Sequence, residues 1–420
     1  MSGAVITVMA GLIVCYALVA RRLTLANVTA PMLSVAAGLV FFSASSVDIN
    51  ADFVHAMAEV TLVIILFHDA STVRINQLRR DPGIALRLLA VGFPLALLAT
   101  FLLAGSLLPA LGAGGAWLIA AAITPTDAGL GAPTVLNPVV PLRVRRGLNV
   151  ESGLNDGLVT PIVLMGLGVL AEREDAPIPG LLGIGVASVL LALGCAIALA
   201  WAAAWLLDRS RGRGLSGRRG RQIATLFLPA LLFGVAELIG ANAFIAAFVG
   251  GLVFGAASKT LAEERETGDL LETAADLLGF VVWLLFGGLL LLVFAGGLKW
   301  QWLVIALLAL TLLRLMPVAA AMIGTGFTWR TVTFLGWFGP RGLATIVFGL
   351  LALEELGPNS PFMDDVGGVL AVTVILSVVA HGLSSGPLAQ AYGEWVTRTD
   401  APIGVEPSVE PMSSRGRTGH

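Results

Sequence analysis

Stretches of about 17–25 apolar residues, each long enough for a helix to cross a bilayer, recur from end to end of this 420-residue chain. Thirteen can be delimited, near 4–20, 30–47, 53–70, 84–108, 114–136, 149–170, 180–207, 222–239, 241–257, 275–297, 300–323, 331–353 and 365–388. Charged residues are 12% of the chain, half the roughly 25% usual in soluble domains, and the mean hydropathy is +0.91. The fold class that follows is an all-α polytopic membrane protein. The first stretch is read as a spanning helix, because Arg21 and Arg22 follow it, the reverse of a secretory signal. Cys15 and Cys195 both fall inside apolar runs and read as small buried hydrophobes.

Charge placement tests the count. Cytoplasmic loops are enriched in Lys and Arg. With thirteen spans and the N-terminus outside, the inside loops collect Arg21, Arg22, Arg74, Arg79, Arg80, Arg87, Arg143, Arg145 and Arg146. They also collect six arginines over 209–221, Lys259, Arg265, Arg330, Arg398, Arg415 and Arg417, in all 21 of the 25 basic residues. The outside loops hold only Arg173 and Lys299 and are otherwise acidic, at Asp48, Glu172, Glu174, Asp175, Glu354, Glu355, Asp364 and Asp365. One span more or fewer would put basic loops on both sides. The expected placement is therefore the cell membrane, N-terminus outside and C-terminus in the cytoplasm.

The basic segment 209–221 divides the chain. Before it, residues 1–208 carry helices 1–7, with a first six-helix repeat over 1–170 and a linker helix at 180–207. After it, 222–390 carry helices 8–13, and 391–420 form a short cytoplasmic tail rich in Pro, Ser and Gly, expected to be disordered. If helix 8 repeats helix 1, the halves run in opposite directions, the inverted-repeat plan common in secondary transporters. The fifth stretch contains "ITPTDAGLGAPTVLNP" and its counterpart seven helices later "GWFGPRGLATIVFG". Proline removes a ladder hydrogen bond, so both should unwind, and irregular backbone at membrane depth is tolerated only beside protein or a polar cavity.

Ionisable residues at that depth are few: Glu59, Asp69, Asp127, Glu151, Asp156, Glu237, Arg314 and Arg341. Charges in lipid are costly and by default functional or paired; Glu59 and Glu237 have no partner evident from sequence. In "VESGLNDG", Ser152 and Asp156 are i,i+4 neighbours on a helix, with Asn155 beside them. Glu151 lies roughly 140° round the axis from Asp156 at 3.6 residues per turn. Asp156 thus belongs to a polar sector, and Glu151 is free to meet an arginine. The sector offers only hard oxygens, to which the unwound backbone near Thr126 and Asp127 adds carbonyls; such a set suits a hard cation. Proton and cation would compete for one buried carboxylate. The four histidines (55, 68, 381 and 420) show no metal-ligand spacing, and no Walker, HExxH or GxSxG motif is present, so an enzyme is not expected.

"ESGLND" on one helix, "TPTD" on the broken helix before it and "GPRG" late in the chain resemble the monovalent cation:proton antiporters, in the NhaP and sodium–hydrogen exchanger branch. The resemblance implies the antiporter fold, with thirteen transmembrane helices, two inverted-topology repeats and crossing broken helices. It also implies a homodimer in the lipid bilayer that exchanges Na⁺, Li⁺ or K⁺ for H⁺ electroneutrally by alternating access, with no cofactor and no nucleic-acid partner. Carried over residue by residue, Asp156 binds cation and proton. Ser152 and the Thr126 carbonyl complete the set around the transported cation, with Asn155 in support. Asp127 and Asp69 are further members of the site. Asp69 stands where the family often has a Glu, one methylene longer. Glu151 would pair with Arg314 or Arg341; sequence does not choose between them. Two other readings share the composition: a cation channel or uniporter through the same cavity, and a membrane sensor that does not transport.

Overall fold

A computed structural model describes residues 3–25, 27–45, 51–73, 83–127, 129–171, 178–357 and 360–399. Loop residues Asp48, Arg74, Arg79, Arg80 and 172–175, and the tail from residue 400, lie outside the described residues. Each of the thirteen apolar stretches is helical. The first seven are α1 (Gly3–Leu25), α2 (Ala30–Ala44), α3 (Ala51–Thr72), α4 (Gly83–Leu107), α5a (Gly112–Ile123) with α5b (Ala132–Val135), α6 (Leu142–Ala171) and α7 (Ile178–Gly212). The remainder are α8 (Arg218–Leu238), α9 (Ala243–Ala257), α10 (Asp269–Phe294), α11 (Trp300–Ala321), α12a (Trp329–Trp337) with α12b (Leu343–Leu356), and α13 (Met363–Thr399). Among the described residues, eight helices are long and apolar enough to cross a membrane, and four more are shorter apolar helices.

Small residues let these helices approach closely, as is usual where lipid supplies no hydrophobic drive. A Cβ on Gly251 of α9 would lie 2.4 Å from the Phe67 carbonyl of α3, and one on Gly255 would lie 2.3 Å from that of Ser71. Two of the helix starts carry side-chain caps of the usual kind: in α9 the Asn242 side chain accepts from Ile245 N at 2.9 Å, and in α12a the Thr328 hydroxyl from Thr331 N at 3.4 Å. Five residues of α4, Leu88–Gly92, form a π-helical turn against α11.

Three boundaries differ from the sequence expectation. α6 starts at Leu142 rather than near 149, because Pro141 opens it by accepting from Arg145 N at 3.0 Å; the arginines assigned to a loop lie in its first turns. Arg145 is buried there, its Nε donating to Val140 O at 2.9 Å. The basic loop shrinks in the same way, since α7 runs on through Arg211 and α8 begins at Arg218. Finally, residues 391–399, assigned to a disordered tail, continue α13. Tyr392 and Val396 are buried, and the Tyr392 ring stacks on Phe334 at 4.0 Å.

The ends of α7 and α8 are tied to the segment between α9 and α10. The Asp208 carboxylate accepts from Ser258 Oγ and from the amides of Lys259 and Thr260 at 2.8–3.2 Å. Arg211 meets Glu263 and Glu264, Arg221 meets Glu264, and Arg218 meets Glu266.

Candidate functional site

Both expected breaks are present, and they meet. α5 is interrupted after Ile123 at Pro125 and resumes at Ala132; α12 is interrupted after Trp337 at Pro340 and resumes at Leu343. Where they cross, Asp127 N donates to Pro340 O at 2.8 Å. The Asp127 carboxylate then serves both chains. Its Oδ1 accepts from Gly129 N at 2.7 Å and Leu130 N at 3.0 Å, and its Oδ2 accepts from Leu343 N at 2.7 Å. One buried anion therefore caps the start of α12b and the turn that leads into α5b, where unsatisfied amides carry partial positive charge. Gly342 makes room for it, since a Cβ there would lie 2.1 Å from Asp127 Oδ2.

Arg341 answers at the other helix ends, where carbonyls are left over. Its Nε donates to Ile123 O at 2.5 Å, its Nη1 to Gly339 O, and its Nη2 to Ala309 O at 3.4 Å, just before α11 kinks at Thr311 (ψ −91°). Arg341 also lies in the field of Glu151, Asp156 and Arg314.

α6 passes beside this crossing. Thr126, in the break of α5, shares a hydrogen bond with Ser152 Oγ at 2.8 Å and accepts another from Asn155 Nδ2 at 2.8 Å. The Asn155 carbonyl oxygen is buried and takes no hydrogen bond among the described residues. Asp156, one turn beyond Ser152 on α6, is 3% exposed, and its main-chain carbonyl accepts from Thr160 Oγ1 at 2.8 Å. Glu151 turns the other way, as the helical angle requires. Both of its oxygens are held by Arg314 of α11, Oε2 by Nη2 at 2.8 Å and Oε1 by Nη1. Between the two candidate arginines, the structure pairs Glu151 with Arg314, and Arg341 is spent on main-chain carbonyls.

Asp69 of α3 is buried and meets the ring of His68, Oδ1 to Nδ1 at 2.9 Å. Its main chain borders the site, for the Asp69 carbonyl would stand 3.2 Å from a Cβ on Gly153 of α6. Thr126, Ser152 and Asn155 are thus joined by hydrogen bonds; Asp156 lies one turn beyond Ser152 on α6, Asp127 follows Thr126 in the crossing, and the Asp69 main chain lies beside α6 at Gly153. Glu59 does have a partner: His55 stands 3.8 Å from it and also contacts Glu354 of α12b, whereas Glu237 is exposed. Sequence reading weighed His55, His68 and His381 only as metal ligands and passed over Ser377. The last two are i,i+4 neighbours in "SVVAH", a spacing that marks one helix face.

A polytopic helical protein in which two interrupted helices cross beside buried carboxylates has the architecture of a secondary transporter. Residues 8–391 match the family described as sodium/hydrogen exchanger, transmembrane. The chain belongs to that family and is a cation/proton antiporter. It is similar to the Na⁺/H⁺ antiporter of Schizosaccharomyces pombe, 25% identical in an alignment that covers 70% of this chain and 71% of that protein. A probable Na⁺/H⁺ antiporter of the same yeast, C3A11.09, is 25% identical over 63% of this chain, and the match spans 39% of the yeast protein. In fold, the chain is similar to the sodium proton antiporter MjNhaP1 from Methanocaldococcus jannaschii at pH 8. The TM-score is 0.73 and the identity 20%, over 92% of this chain and 98% of that one.

Proposed function

We propose that this chain exchanges one monovalent cation (Na⁺, Li⁺ or K⁺) for one proton, with the carboxylate of Asp156 holding either in turn. Ser152 and the main-chain carbonyl of Thr126 would complete the cation's shell, with Asn155 in support. The observation that carries the reading is the Thr126–Ser152–Asn155 hydrogen-bonded group, which brings the helix break and the Asp156 face of α6 into one cluster of hard oxygens. Such oxygens suit an alkali cation, and a carboxylate that binds proton and cation exclusively couples their movement when its access alternates. Glu151 lends no charge to the cluster, being neutralised by Arg314. The protein acts as a homodimer in the cell membrane, N-terminus outside, without a cofactor or catalytic chemistry.

Vesicle exchange across Li⁺, Na⁺, K⁺ and Rb⁺ tests this. Wild type drives proton movement with at least one of them, and Asp156→Asn abolishes it for all. Cation-dependent exchange that survives in Asp156→Asn would overturn the assignment. Clamping and varying the membrane potential leaves the rate unchanged if the exchange is one for one.

A further inference from the structure

In a continuous α12 helix, the Arg341 amide would donate to the Trp337 carbonyl four residues earlier. The break separates these two groups, and α13 supplies a partner for each. Arg341 N donates to Ser377 Oγ at 2.6 Å, and His381 Nε2 bonds Trp337 O at 2.9 Å. Ser377 and His381 are themselves in contact, Oγ to Nδ1 at 3.3 Å and main-chain O to Nδ1 at 3.0 Å. Both are fully or almost fully buried, at 0% and 1% exposure. The Trp337 indole extends the same contact, its Nε1 donating to Ser384 Oγ at 3.0 Å. Ser377, His381 and Ser384 are i, i+4 and i+7 on one face of α13.

We infer that Ser377 and His381 are positioning residues for exchange: as a hydrogen-bonded pair they replace the missing helical bond and hold the break of α12 open. A carbonyl oxygen can only accept, so Nε2 must carry the proton. Ser377 Oγ takes the Arg341 N–H, and the Nδ1 edge of the ring packs on the hydroxyl and main-chain carbonyl of Ser377. Both main-chain groups parted by the break, Arg341 N and Trp337 O, thereby have a partner on α13. The effect reaches the cation site through Arg341, whose guanidinium grips Ile123 O, three residues before Thr126. A break that slips or recloses withdraws that grip and displaces Thr126 from Ser152 and Asn155.

This inference rests on the exchange reading above. The test measures Na⁺ and Li⁺ exchange in vesicles for His381→Leu, His381→Gln and Ser377→Ala, with thermal midpoints of the purified proteins. His381→Leu and Ser377→Ala are each expected to raise the apparent KM for the cation about tenfold, the order one lost neutral hydrogen bond supports, while the maximal rate changes far less. His381→Gln, whose amide can donate toward Trp337 O, restores the KM to near wild type. Wild-type KM in both His381→Leu and Ser377→Ala would overturn the inference, as would equal impairment of Gln and Leu with a lowered thermal midpoint. Should His381→Leu not fold, Ser377→Ala decides alone by the same KM criterion. Absence of exchange in wild type with every cation would instead refute the exchange reading itself.

Discussion

A buried ion pair shows its worth when one partner is removed, because the other charge is then left in low dielectric. Glu151 and Arg314 are such a pair, at 0% and 3% exposure. Arg314→Met is expected to lower stability by about 3–5 kcal/mol, and the double variant Glu151→Leu/Arg314→Met to regain most of that; thermal melting in detergent reads both. Just before the start of α11 the opposite regime holds. Lys299 donates to Asp364 and Asp365 at 2.7 Å but its side chain is 41% exposed. The hydrogen bond with Asp364, then that with Asp365, raises its pKa above the ordinary lysine value. A raised folded pKa means that the contribution is complete below the unfolded value of about 10.4 and vanishes as pH climbs through the folded one. Solvent screening keeps it under about 1 kcal/mol. Lys299→Met should therefore melt slightly below wild type at pH 8, with the gap closing at strongly alkaline pH.

Between elements, the approach of α3 to α9 depends on two glycines spaced four apart. Any side chain at Gly251 or Gly255 would meet a main-chain carbonyl of α3, which cannot swing aside as a side chain can. Gly251→Leu and Gly255→Leu should each cost more than the roughly 1–3 kcal/mol of ordinary overpacking, measured as folded yield and thermal midpoint. The elements themselves were legible in the sequence because bilayer thickness fixes their length, and the breaks because Pro125 and Pro340 cannot continue a helix. The start of α6 was misplaced because the arginines after Pro141 were weighed as loop charge, although proline at a helix start is itself a signal. Glu151 could be separated from Asp156 by angle alone. Which arginine met it could not, since that depends on where α11 crosses α6. The pairing of Ser377 and His381 with the break was invisible for a like reason: their partners, Arg341 N and Trp337 O, are main-chain groups exposed only by a break in another helix.

At the scale of the molecule, Asp127 joins the two halves of the chain. Its bond to Leu343 spans 216 residues, while those to Gly129 and Leu130 are local. Asp127→Ala is expected to release the amides of Gly129, Leu130 and Leu343 together, so hydrogen–deuterium exchange should speed up in both peptides; protection lost in the near peptide alone would contradict a shared cap. The same bond sets an order of assembly. A ribosome must make more than two hundred residues after Asp127 before Leu343 exists, and contacts so distant in sequence form slowly. Until then the break in α5 lacks both the amide of Leu343 and the Pro340 carbonyl that Asp127 N meets. The first half of the nascent chain therefore waits in the membrane with its crossing incomplete, and the transport pathway is closed into shape only once Leu343 has been made.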